Sequence, residues 1–189
     1  MKTALALVAA LCLAACGSSS HTQSDWERQN EATLAKEKQE SAPLPPPPAF
    51  PRRENLIEFE VAGVPSSFRY FIDGASLQVG KEKERIINYV LVARSSAGVE
   101  NVTFEGLRCA TTEYRVYALG QANGTWGGRP SDWRVITSAR VRPLQATLLR
   151  DYFCPQGTPV RSVDEGLQAL RQGGHPFSTG FSGDALRGM

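Results

Sequence analysis

The chain has 189 residues, and its 21 Lys and Arg against 19 Asp and Glu leave a net charge of +2, without the basic excess of a nucleic-acid binder. At 41% hydrophobic residues it carries enough apolar side chain to build a core, which excludes a wholly disordered polypeptide. Cys109 and Cys154, far apart and with no neighbouring histidine, supply no metal-ligand set, and no motif calls for a cofactor.

In chain order, Lys2 precedes an apolar run of about eleven residues that closes on Leu13-Ala14-Ala15-Cys16, well short of the roughly 20 needed to span a bilayer. Small residues ahead of a cysteine read as a lipoprotein signal over residues 1–15, with Cys16 the acylated, palmitoyl-bearing N-terminus of the mature chain. Gly17 in place of an acidic residue points to the outer membrane rather than retention. Two or three acyl chains, at ~0.8 kcal/mol per buried methylene, make such an anchor permanent. The plainer alternative is an ordinary secretory signal, with Cys16 left as a spare thiol.

Residues 16–48 read as a tether. Ser24-Asp25-Trp26-Glu27 has the form of a capping box opening a short polar helix to about Glu40. Pro43, Pro45, Pro46, Pro47 and Pro48 form a polyproline stretch, read as a stiff spacer or as a docking segment for a groove-bearing partner.

The folded domain is expected over 49–173, with a flexible tail over 174–189. Alternating apolar residues predict strands around Leu56 to Val61, Phe68 to Ile72, Leu77 to Val79, Ile86 to Val92, Val99 to Phe104, Tyr114 to Ala118 and Trp133 to Ile136. Asp73-Gly74 is a turn signal between the second and third. Strands that follow one another without helices between them predict an antiparallel sheet of six to seven strands. Two helices close the domain, one from Pro143 to Phe153 and one opened by a Ser162/Glu165 capping box and stopped at Gly173. The fold class is therefore α+β. With Cys12 removed and Cys16 acylated, Cys109 and Cys154 remain as a pair in an oxidising compartment, and a disulfide between them is expected.

Three constellations bear on chemistry. Arg129, Arg134, Arg140, Arg142 and Arg150 face only Asp132 over the same span, and guanidinium groups suit the phosphates and carboxylates of envelope polymers. A solvated strand and helix face accounts for them equally well. The loop from Gly120 to Arg129 holds four glycines and Trp126, which with Trp133 could offer a flat surface to a ligand, or could form a hairpin connection whose tryptophans pack on the core. Among the acids, Glu100, Glu105, Glu113 and Asp132 sit mid-domain, and Glu105 with Asp132 could serve as a hydrolytic carboxylate pair. His21 in the tether and His175 in the tail leave the domain without a histidine for nucleophilic catalysis.

Phe59-Glu60-Val61, Tyr89-Val90-Leu91-Val92-Ala93-Arg94-Ser95, the segment ending Phe104-Glu105-Gly106-Leu107-Arg108-Cys109, Tyr117-Ala118-Leu119-Gly120, Trp126, Trp133 and Tyr152-Phe153-Cys154 together resemble the cryptic neisserial protein-like family of proteobacterial lipoproteins. The hexapeptide from Phe104 to Cys109 is the specific element. The resemblance covers most of Pro51 to about Gly173 and implies a secreted domain with two matching cysteines and no transferable catalytic residue. The connection from Lys81 to Asn88 is more charged than the family pattern.

The sequence thus reads as a non-enzymatic lipoprotein, held on the periplasmic face of the outer membrane by its lipid, whose domain binds an envelope polymer or a periplasmic protein through Trp126, Arg129, Trp133, Arg140 and Arg142. A cell-wall hydrolase using a carboxylate pair is the alternative.

Overall fold

The computed structural model describes residues 24–40, 43–61, 67–80, 86–137 and 142–178. The expected signal, Cys16, Arg140 and the 81–85 connection lie outside the described residues. Among them, no helix is long and apolar enough to cross a membrane. The chain divides into two compact units, Met1–Pro43 and Leu44–Met189.

The first unit contains α1, Asp25–Glu40. Its start is the expected capping box: the Glu27 amide donates to Ser24 Oγ at 3.3 Å, and the Ser24 amide donates back to Glu27 Oε2 at 2.8 Å.

The second unit is an antiparallel sheet with helices laid on one face. Its strands are β1 Leu56–Phe59, β2 Phe68–Asp73, β3 Gln78–Val79, β4 Ile87–Ser95, β5 Glu100–Arg108, β6 Glu113–Gly120, β7 Trp126–Gly127 and β8 Arg134–Val135. They run in the order β1-β2-β4-β5-β6-β7, with β3 also on β4 and β8 also on β6. The α+β expectation therefore holds, with an extra short strand where a bare glycine loop was expected.

The Asp73-Gly74 turn does not make a hairpin. Ile72 pairs with Leu91 and Gln78 with Asn88, so β2 and β3 lie along the same edge of β4 as one strand interrupted at residues 74–77. The interruption is repaired by a side chain. Ser76 Oγ accepts the Val90 amide at 2.9 Å and donates to the Asp73 carbonyl at 2.7 Å.

Side-chain alternation sorts the sheet into two faces. Phe59, Ile72, Ile87, Tyr89, Leu91 and Leu107 point to the helix face and bury against Leu148, Tyr152, Phe153 and Leu170. Phe71, Val90, Val92, Val102, Phe104 and Tyr117 point to the outer face. A bulge lies between Phe104 and Glu105: Phe104 pairs with Ala118 but Glu105 with Val116, which leaves Tyr117 as the extra residue.

The helix layer comprises α2 Pro143–Thr147, a π-helical turn Leu148–Phe153 and α3 Val163–Arg171. The helix expected from Pro143 to Phe153 changes pitch halfway: the Cys154 amide donates to the Leu149 carbonyl, five residues back. The wider turn buries the neighbours Tyr152 and Phe153 together. Cys154 then meets Cys109 in a disulfide with a Cα separation of 5.5 Å, the expected pairing.

Ser162 caps α3 by accepting the Glu165 amide, and Gly173 ends it with a positive φ of 75° while the Gly174 amide donates to the Ala169 carbonyl. That reversal sends the chain back onto the domain. The expectation of a tail fraying from Gly174 is thus corrected for residues 174–178, where His175 is 5% exposed and its amide donates to the Asp151 carbonyl. Residues 179–189 lie outside the described set.

Candidate functional site: the aromatic outer face

The most specific sequence element, Phe104 to Cys109, runs along β5 with its side chains alternating between faces. Glu105, Leu107 and Cys109 serve the helix face, and Phe104, Gly106 and Arg108 the outer face. Gly106 is glycine because the Tyr117 ring lies on it: a Cβ there would stand 2.3 Å from Tyr117 Oη and 2.8 Å from two ring carbons. Tyr117 packs in turn on Phe104, with ring centroids 5.1 Å apart, and edge-on to Trp133 at 6.3 Å. Burial pushes its hydroxyl up to about 12, so it stays protonated.

Arg108 is 3% exposed, and its guanidinium carbon sits 3.8 Å from the Trp133 ring centroid. Its Nη1 pairs with Glu113 Oε2 at 3.4 Å, and Thr111 Oγ1 donates to the same carboxylate oxygen at 2.7 Å. At the far side, Arg94 and Arg69 lie over the Phe71 ring at 4.7 and 5.3 Å. Arg94 pairs with Glu100 at 2.7 Å, and Arg69 with Glu58. The outer face is thus a row of aromatic rings, two of them, Phe71 and Trp133, covered by arginines.

One part of this face is open. Trp126, on the edge strand β7, packs on Phe104 at 6.3 Å and on Phe50 at 5.2 Å. Its indole N–H donates to the Pro48 carbonyl at 2.7 Å. The polyproline stretch is therefore more than a spacer: residues 44–50 belong to the compact unit and lie against it, so the domain begins five residues before the expected boundary at 49. Between the prolines and the sheet is a cavity of about 330 Å³, lined by Leu44, Pro45, Tyr117, Trp126, Gly128 and Pro130, among others.

The expected binding surface does not form a single patch. Trp126 and Trp133 share the outer face, and Arg129 is exposed between the cavity-lining Gly128 and Pro130. Arg142 belongs to the other side, its guanidinium 5.5 Å from the ring of Tyr114, a helix-face residue. Arg140 lies outside the described residues.

Glu105 and Asp132, the candidate carboxylate pair, sit in opposite settings. Glu105 is 2% exposed, beneath α2, and accepts from Tyr89 Oη at 3.0 Å, Thr103 Oγ1 at 2.7 Å and Gln145 Nε2 at 3.2 Å, whereas Asp132 is exposed. Burial pushes the Glu105 carboxyl above the usual range, against the opposing pull of its three donors.

The structure corrects the expected placement of His175 in a tail. The histidine lies within the domain, with Nε2 3.1 Å from Glu165 Oε1 and Nδ1 accepting the Phe177 amide at 3.2 Å. An accepting Nδ1 leaves the ring proton on Nε2, facing the carboxylate, so both nitrogens are engaged in holding the segment around His175 against α3. Cavities of about 480 and 340 Å³ flank the pair. Only the Gly173-Gly174 stop signalled that the chain would turn back there.

Among curated proteins, Cryptic neisserial protein 1 of Neisseria gonorrhoeae (strain ATCC 700825 / FA 1090) is 32% identical in a 99-residue alignment that covers 45% of this chain. The match spans 48% of that relative, about half its length. No solved structure matches. The profile of the CNP1-like family matches residues 33–171, a span that takes in the sheet, the disulfide and the helix layer. The chain belongs to the CNP1-like family.

Proposed function

We propose that this protein is a lipoprotein of the outer membrane whose periplasm-facing domain is a non-enzymatic binding module for an envelope component or a protein partner. The observation that carries this reading is the open groove at Trp126. Flat rings, an indole donor that reads a backbone carbonyl and a partly filled cavity at a sheet edge are what a recognition surface needs. The anchor follows from the Leu13-Ala14-Ala15-Cys16 sequence, and the disulfide suits an exported domain. Against an enzyme stands the sealing of Glu105 beneath α2, where no substrate reaches it.

The test pairs chemistry with location. Mass spectrometry of the protein purified from its own membranes is expected to find a triacylated or diacylated Cys16 at the N-terminus. A photo-crosslinking residue at Arg129 in intact cells is expected to give a discrete adduct that the same probe at Arg171, on α3, does not. An unmodified N-terminus overturns the anchor, and indistinguishable products from the two positions overturn the binding surface.

A further inference from the structure

We propose that the Trp126 groove is a receptor for extended, proline-rich segments of a partner polypeptide, and that the chain's own strap, residues 44–50, occupies it in cis as a competing ligand. This rests on the binding-module reading and gives its ligand class.

The strap shows what the groove selects. A polyproline II helix repeats every three residues, so residues three apart share an edge. Pro45 and Pro48 are half-buried while Pro46 and Pro47 are exposed, which is that period. Such a helix makes no internal hydrogen bonds, so its carbonyls remain free for a partner to read. Trp126 reads one of them, its donor-only indole N–H meeting the Pro48 carbonyl at 2.7 Å. Two residues on, Phe50 packs against the same indole at 5.2 Å. The recognised pattern is therefore proline, two free positions, proline, one free position, aromatic.

The strap is also a poor fit. About 330 Å³ remains between it and the walls of the groove, and Leu44 at its start is 40% exposed. A segment with a larger side chain near that end fills the space and buries more apolar surface. The strap nevertheless has an advantage, because a short covalent connection gives it an effective concentration in the millimolar range. An incoming ligand must outcompete that. Release of the strap adds about seven extended residues, ~20 Å, to the reach of the tether.

The experiment uses the full-length chain and a fluorescein-labelled peptide of residues 43–50, Pro-Leu-Pro-Pro-Pro-Pro-Ala-Phe, followed by anisotropy. A chain carrying Pro45→Ser, Pro48→Ser and Phe50→Ser loses the cis competitor and is expected to bind the peptide at least tenfold more tightly than the unaltered chain. A peptide with every proline replaced by alanine is expected to bind at least tenfold more weakly. In ¹⁵N spectra of the unaltered chain, the Trp126 indole signal is expected to shift saturably with millimolar peptide while that of Trp26 stays. Should the triple variant fail to fold, Pro48→Ser alone weakens the strap without touching the groove walls, and must tighten peptide binding several-fold.

No binding to either chain at several millimolar overturns the proposal, as does equal binding of the alanine peptide. A concentration-dependent dimer that buries the groove without added peptide also overturns it, by making the occupant the strap of a second copy. Crosslinked adducts from Arg129 in cells, together with failure of the peptide, leave the binding module standing and remove the proline ligand. Loss of both removes the two together.

Discussion

Glu105 is a carboxyl group closed away from water, and its behaviour with pH follows from that. Burial raises its folded-state pKa above the unfolded value near 4.5, so as pH rises the unfolded chain releases this proton first. Its contribution to stability is fully present below about pH 4.5 and is lost as pH climbs through the raised folded value. Glu105→Gln removes that titration. The stability of the variant relative to the unaltered chain should therefore improve as pH rises from about 4 to 8, by no more than ~1.4 kcal/mol per pH unit. Urea midpoints across that range decide it, and a pH-independent difference would refute the assignment. Gly106 provides a second residue-scale test. A methyl group there meets the Tyr117 ring, and Gly106→Ala is expected to cost ~1–3 kcal/mol in urea unfolding. On a Tyr117→Ala background the same change should cost under ~0.5 kcal/mol, because the obstructing ring is gone.

At the scale of elements, the sheet depends on side chains to repair its irregularities. Ser76 supplies the acceptor that the jog between β2 and β3 withdraws from Val90, which is fully buried. Ser76→Ala leaves that amide unpaired and should cost ~1–3 kcal/mol, with Val90 among the amides whose hydrogen exchange accelerates most. Little in the sequence marked this. Asp73-Gly74 is a sound turn signal, and a local signal of that kind does not distinguish a hairpin from a break within one strand. The distinction lies in which strand pairs with which, and β4 happens to be long enough to pair with both halves. By contrast, the serine caps of α1 and α3, Ser24 and Ser162, were legible, although only the first closes a full capping box, Glu165 taking the Arg161 amide instead of that of Ser162. A cap is satisfied within four residues and needs no distant partner.

At the scale of the whole molecule, the Cys109–Cys154 disulfide joins the sheet to the helix layer across a separation of 45 residues. The chain-entropy account puts its contribution at ~4 kcal/mol as an upper figure, and ~2–4 kcal/mol is expected on reduction. Thermal unfolding with and without reductant should show the difference, and Cys154→Ser should reproduce the reduced form. An unchanged midpoint would mean that the helix layer is held by packing alone. The arginine and tryptophan patch shows the converse limitation of sequence. Trp126, Trp133 and Arg142 lie within 17 positions of one another, yet Arg142 stacks on Tyr114 against the opposite face.

Strand alternation, helix caps, the Gly173 stop and the pairing of two cysteines were all set by the sequence itself, because each rests on local periodicity, short-range hydrogen bonding or simple counting. Tertiary structure alone decided that Glu105 is sealed, that His175 folds back onto Glu165, and that the prolines lie on Trp126. Those outcomes depend on which surfaces meet across tens of residues. Burial and long-range pairing are properties of the packed chain, and no short window of residues contains them.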